Sequence, residues 1–169
     1  MLDGEREALL RPRELVAWLG IRPGQVVADL GAGPGLLTLP LARAVGPRGQ
    51  VIATDIDGAA LDELRRRAEA AGLSQIDVHQ VAADDPGLPA ASVDLALVAH
   101  VHPYLSDGEA WLRRLAPALR PAARLAAVGF ASGRERLLAD AEGAGLELVD
   151  EAPRLLPAQY LVLFAAKEP

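Results

Sequence analysis

"VADLGAGPGLLTLPLA" (residues 27–42) runs from a short apolar stretch through three alternating glycines into a segment with helical spacing. The lead-in "VVADL" is apolar at nearly every position, as a strand covered on both faces requires. Gly31, Gly33 and Gly35 therefore stand where a strand gives way to a helix, read as about residues 35–45. Glycines at such a turn let the backbone approach a ligand that a Cβ would block. The helix beyond them offers unpaired N–H groups suited to a carboxylate or a phosphate.

The same unit recurs along the chain. "QVIATD" reads as a second strand, and residues 58–71 as a helix with Asp62 and Glu63 in its first turn and Gly72 at its C-cap. "IDVHQVA" and "VDLALVA" are the third and fourth strands, separated by the loop ADDPGLPAAS. A helix capped by Ser106 follows, then the strand "RLAAVGF" and the helix GRERLLADAEGAG. The final strands "LELVDEA" and "QYLVLFAA" are joined by PRLLP, too short for a helical crossover, so they must run antiparallel. Strands alternating with helices predict an α/β fold. The expected form is a Rossmann-like, doubly wound, mostly parallel seven-stranded sheet with an antiparallel C-terminal hairpin strand. No linker or repeat interrupts it. Residues 1–169 read as one domain: an N-terminal helical cap over 1–22, in two pieces divided near Pro12, and a core over 23–169.

Composition narrows the chemistry. The absence of cysteine excludes disulfides, zinc–thiolate clusters and thiol nucleophiles together. The formal net charge of -6 disfavours nucleic acid as a partner. Arg65, Arg66 and Arg67 read as a solvated helix face. The opening MLDGEREALLRPREL has no continuous apolar core, unlike a signal peptide, and no stretch reaches the ~20 apolar residues that span a bilayer. A cytoplasmic location without membrane attachment is the expectation. No His, Asp or Glu set has metal-ligand spacing, so no metal is expected. His79, inside the third strand, reads as structural or exposed.

Spacing then separates the ligands a glycine turn serves. A dinucleotide fingerprint is G-x-G-x-x-G, but here Leu36 stands where its third glycine would be. A phosphate-binding P-loop needs Lys-Ser or Lys-Thr, and the chain has neither. What remains is Asp29 before the glycines and Asp55 at the end of the next strand, where an acid can accept both hydroxyls of a ribose. The turn contains Pro34 and no basic residue, which suits a ligand without a pyrophosphate.

"VADLGAGPG", "ATDID", "ADDPGLPAASVDLALVAH" and the terminal hairpin resemble the class I S-adenosylmethionine-dependent methyltransferases over essentially the whole chain. The resemblance implies a transferase that uses S-adenosylmethionine and releases S-adenosylhomocysteine. It implies that Asp29 orients the methionyl amino group, while Gly31, Ala32, Gly33 and Gly35 form the turn along the methionyl portion. Asp55 would hold the ribose hydroxyls and Ile56 would pack on the adenine. Asp84, with Asp85 as the neighbour it is confused with, would accept from the adenine amino group. Ala99 and His100 would border the sulfonium. Structural roles compete with these: Asp29 also reads as tying down the turn, and Asp84 and Asp85 as a cap before Pro86. The chain departs from the family pattern at Pro34, usually threonine, and at Ala122-Ala123, usually Gly-Gly.

The acceptor side is less marked. "AHVHPYL" follows the fourth strand, and ligands of open α/β sheets bind at the C-terminal ends of strands. His100, His102 and Tyr104 are thus the candidates for a base, needed only where the acceptor must lose a proton. The competing reading has His102 and Tyr104 packing the loop and His100 satisfying backbone groups. "HPY" lacks the asparagine and first proline of the Asn-Pro-Pro-Tyr motif of amino-directed adenine methyltransferases. A small-molecule acceptor is the expectation. The alternative is a non-catalytic S-adenosylmethionine-binding module that works through a protein partner.

Overall fold

Seven strands form one sheet in the computed structural model, which describes residues 8–156 and 158–167. They are β1 (Val26–Leu30), β2 (Gln50–Asp55), β3 (Ile76–Gln80), β4 (Val93–Ala99), β5 (Leu119–Phe130), β6 (Leu146–Glu151) and β7 (Gln159–Ala166). Their order across the sheet is β3-β2-β1-β4-β5-β7-β6. The pairs from β3 across to β5 are parallel, whereas β7 runs antiparallel between β5 and β6. This is the doubly wound arrangement with the antiparallel C-terminal hairpin that the sequence implies. The chain leaves β1 towards β2 on one side and returns later to β4 on the other. The C-terminal ends of β1 and β4 therefore flank the crevice where such sheets bind ligands.

Among the described residues the faces are covered by α1 (Pro12–Leu19), α2 (Thr38–Val45), α3 (Gly58–Ala70), α4 (Gly108–Leu115) and α5 (Arg134–Gly143). Strand alternation sorts β4 cleanly. Leu95 and Leu97 pack with Leu15 and Leu19 of α1 and Leu41 and Val45 of α2. Ala96 and Val98 pack on the opposite face with Trp111, Leu112 and Leu115 of α4 and Leu137 of α5. The N-terminal cap is a helical turn over residues 8–10 followed by α1, with the break at Arg11 before Pro12; residues 1–7 of the expected cap lie outside the described residues. Among the described residues, no helix is long and apolar enough to cross a membrane.

Several local expectations shift. The helix after β1 begins at Thr38, not near 35, because Gly35 sits at φ +95, outside the helical region. Asp57 caps α3, its Oδ1 accepting from the N–H groups of Ala59 and Ala60. Asp62 and Glu63 fall beyond the first turn and pair with Arg65, Arg66 and Arg67, so that stretch is a solvated, ion-paired face. On α4 the cap is Asp107, which accepts from Ala110 N–H, in place of the expected Ser106.

The fifth strand also starts earlier, at Leu119, and its pairing to β4 shifts register between Val93 and Leu95. Within that irregular stretch, exposed Ala122 lies at φ +64. A Cβ is disfavoured there, and glycine is the residue without that penalty. Ala122→Gly should raise stability by about 0.5–1 kcal/mol, a melting-point gain of roughly 1–4 °C. A melt of the variant at or below the parent's would show that the turn carries no such strain.

Candidate functional site

Two adjoining clefts open at the C-terminal ends of β1, β2 and β4. The larger, about 250 Å³, is walled by Asp55 and Ile56, by Ala82, Ala83 and Asp85, and by Tyr104 and Trp111. The smaller, about 30 Å³, is walled by Asp29, Ala32, Gly33, Leu10 and Leu36. Gly31, Ala99 and His100 border both, so the two form one continuous site around the glycine turn.

Asp29, the fourth residue of β1, is only 2% exposed. Its Oδ2 accepts a 2.6 Å hydrogen bond from Thr38 Oγ1 at the start of α2. Burial pushes its carboxyl up to about 6; the Thr38 bond opposes that rise and the Asp55 charge adds to it. Asp29 thus ties the turn to its helix and also borders the smaller cleft. Thr38 is a site residue that the sequence reading missed. Its signal was a hydroxyl among the apolar residues that open the helix after the glycines.

Asp55, at the end of β2, ties the glycine turn to the segment that leaves β2. Its Oδ2 accepts from Gly33 N–H at 2.7 Å and its Oδ1 from Asp57 N–H at 2.9 Å. A carboxylate has about four acceptor directions, so two remain for a ligand.

The three glycines do different things. A Cβ at Gly31 would overlap the Val101 side chain that closes over it. A Cβ at Gly33 would meet nothing within 4 Å, so space beside its backbone is open to the cleft. A Cβ at Gly35 would lie 2.5 Å from Leu64 Cδ1 and 2.6 Å from Leu39 Cδ1. Gly35 borders neither cleft of the site; its missing side chain admits α3 to the turn and not a ligand.

The remaining expected residues divide. Ile56 (59% exposed) and Tyr104 (87% exposed) present apolar and aromatic surface to the larger cleft. Asp85 is on its wall, its Oδ1 accepting from Gly87 N–H at 2.8 Å. Asp84 points elsewhere: it is exposed and borders neither cleft, with Arg114 Nη1 donating to its carbonyl at 2.7 Å and standing 3.7 Å from its carboxylate. His102 is also turned away. It is buried, with Nε2 2.8 Å from Asp140 Oδ2 of α5, and it borders neither cleft. His79 is half exposed beside Asp77, as expected of a structural or surface residue.

His100 is the histidine that borders both clefts. It stands directly after β4 at φ +58, an uncommon conformation for a side chain of this size. Its ring packs against Phe130 with centroids 4.7 Å apart, and its Nε2 lies 2.7 Å from Oε1 of buried Gln159. Gln159 carries no motif signal, because it comes from the first position of β7, 59 residues away.

Comparison with known proteins agrees with this architecture. A family model described as a methyltransferase domain matches residues 27–122, more than half of the chain. Aklanonic acid methyltransferase DauC from Streptomyces sp. (strain C5) is 35% identical over 87 residues, covering 52% of this chain and 40% of that protein. The chain thus spans well under two thirds of that relative's length in the match. A SAM-dependent methyltransferase from Aquifex aeolicus superposes with a TM-score of 0.86 at 22% identity, covering 94% of this chain and 91% of the other. The [4+2]-cyclase SpnF superposes with a TM-score of 0.79 at 18% identity, covering 94% and 82%. At such identities the two structures establish the fold, and the cyclase shows that the fold alone does not name a reaction. With its central motif segment matched and its fold shared, the chain belongs to the methyltransferase-domain family, among the class I S-adenosylmethionine-dependent methyltransferases.

Proposed function

We propose that this chain binds S-adenosylmethionine across the glycine turn and catalyses transfer of its methyl group to a small-molecule acceptor. The observation that carries the reading is the pair of carboxylates, Asp29 and Asp55, at opposite ends of a turn whose middle glycine faces open space. Those residues fit the cofactor. Buried Asp29 supplies negative charge for an α-ammonium, and Asp55 retains acceptor capacity for two ribose hydroxyls. Ile56 offers exposed apolar surface for a base, and Asp85, in preference to Asp84, is positioned to accept from an exocyclic amine. When bound, the cofactor supplies an electrophilic methyl on a sulfonium sulfur, which an acceptor lone pair takes by in-line displacement.

The protein's part is chiefly alignment, which alone is worth several kcal/mol in such a reaction. Gly31 and Ala99 line both clefts with little side-chain bulk, and Val101 packs over Gly31. Tyr104 and Phe130 leave an aromatic, largely exposed rim beside His100, suited to an apolar or aromatic acceptor. The Streptomyces relative is named as a methyltransferase of aklanonic acid, which supports the small-molecule class.

Calorimetric titration tests this reading. S-adenosylmethionine and S-adenosylhomocysteine should both bind, Asp85→Ala should weaken them by about tenfold, and Asp84→Ala should leave affinity unchanged. A folded protein that binds neither would sink the proposal; equal effects at the two aspartates would remove Asp85 from it. Production of S-adenosylhomocysteine across a panel of phenolic and carboxylic acceptors then tests transfer. Tight binding with no turnover on any of them would favour a binding module over an enzyme.

A further inference from the structure

The segment between β4 and α4 supplies part of the wall of the larger cleft, but α5 anchors it. Within it, His102–Tyr104 form a single helical turn, with Tyr104 N–H donating to the Val101 carbonyl at 2.9 Å and Leu105 N–H to the His102 carbonyl at 3.2 Å. One turn is too short to hold its own shape in water, so tertiary contacts must fix it. Val101, Tyr104 and Leu105 face the cleft, and Val101 packs over Gly31. His102 faces the other way, buried, with Nε2 2.8 Å from Asp140 Oδ2. Arg136, one helical turn before Asp140 on α5, adds a second tie. Its Nη2 donates to the Leu105 carbonyl at 2.9 Å, and its Nε stands 3.6 Å from Asp140 Oδ2.

Gly108, the first residue of α4, makes room for this pair. A Cβ there would lie 2.2 Å from Asp140 Oδ2 and 2.7 Å from His102 Nε2. Its φ is not in the left-handed region, so it is space and not backbone conformation that favours glycine. Hydrogen bonds to a carboxylate are stronger than neutral ones, and more so where water is kept out.

We propose that His102 and Asp140 are positioning residues for the cofactor site. Their contact holds the turn so that Val101 stays against Gly31 while Tyr104 and Leu105 wall the larger cleft. Neither partner borders a cleft, so both act through the turn they fix. The role rests on reading the clefts as the S-adenosylmethionine site; the contact itself does not.

Amide hydrogen exchange in the ligand-free protein and calorimetry with S-adenosylmethionine test this together. In Asp140→Ala, exchange at Tyr104 and Leu105 should speed up about tenfold or more, while the amides of β4 and β5 keep wild-type protection. The same variant should bind S-adenosylmethionine about fivefold or more weakly. His102→Ala should behave alike, and the double variant should match the worse single one, because each removes the same contact. Asp140→Asn keeps an acceptor for His102 and should restore most of both properties. Gly108→Ala drives the partners apart without deleting either, so it should reproduce the opening even though alanine is the better helix former. It also answers the question if Asp140→Ala does not fold. A pair that only stabilises the fold would lower the melting point and leave the affinity of the folded variants unchanged, which would overturn the proposal. Wild-type exchange at Tyr104 and Leu105 in folded Asp140→Ala or Gly108→Ala would overturn it too, as would fully additive losses in the double variant. Absence of cofactor binding by wild type would instead overturn the reading of the site, while exchange would still decide whether the pair holds the turn.

Discussion

Replacing Asp29 by asparagine should make the ligand-free protein more stable at pH 7 and its grip on S-adenosylmethionine weaker. Burial raises the Asp29 carboxyl from an ordinary 3.8 to about 6. At neutral pH the folded chain therefore carries a buried charge that it holds less well than the unfolded chain does. For a raised carboxylate, the favourable contribution is fully present below the unfolded value near 3.8 and is lost as pH rises through about 6. The shift corresponds to about 3 kcal/mol at pH 7, of which asparagine should recover about 1–2 because its amide must also find partners. The cost has a use. An α-ammonium arriving beside Asp29 restores the charge balance, so removing the carboxylate should weaken cofactor affinity about 10- to 100-fold.

Two measurements check this. Denaturant unfolding of both proteins from pH 4.5 to 8 should show the asparagine variant ahead at the alkaline end, with the gap closing as pH falls below about 6. Calorimetry on the wild type should show affinity falling over the same acid range as Asp29 takes up a proton. A variant less stable than wild type at every pH would mean that the Thr38 bond, not desolvation, governs this position.

Asp55→Ala should reduce S-adenosylmethionine affinity by about 10- to 200-fold, the scale for losing a charged hydrogen-bond partner in a site. Two physical contributions meet there. The ribose hydroxyls lose their acceptor, and the Gly33 and Asp57 N–H groups lose the carboxylate that fixes them. The turn itself should loosen, visible as faster hydrogen exchange at Gly33 without global unfolding. Asp55→Asn should fall near the alanine variant despite its similar size. An amide offers one acceptor oxygen, whereas Gly33 and Asp57 occupy both oxygens of the carboxylate. Undisturbed affinity in a folded Asp55→Ala would remove this residue from the site. An asparagine variant equal to wild type would show that the two N–H bonds do not need the charge.

The sequence by itself determined the order of elements, the antiparallel end of the sheet and the two carboxylates framing the glycine turn. Each of these is a local property. Apolar runs alternate with helical periodicity, PRLLP is too short to cross the sheet, and Asp29 and Asp55 stand near the ends of strands whose direction the pattern already implies. Only the tertiary structure decided what each neighbouring residue does. Gly35 looks like its two partner glycines, yet its missing side chain makes room for Leu64 because α3 packs there. Asp84 and Asp85 are adjacent acids whose side chains diverge, one towards Arg114 and one towards the cleft. His100 and His102 stand two residues apart, but the helical turn that starts at His102 directs its ring to Asp140 of α5. Thr38 and Gln159 carry no motif, since their importance comes from the side chains they meet, Asp29 across a turn and His100 across the sheet. Spacing along a chain specifies backbone direction. Which side chain then meets which partner is set by packing between elements far apart in the chain, and that is where the candidate site takes its shape.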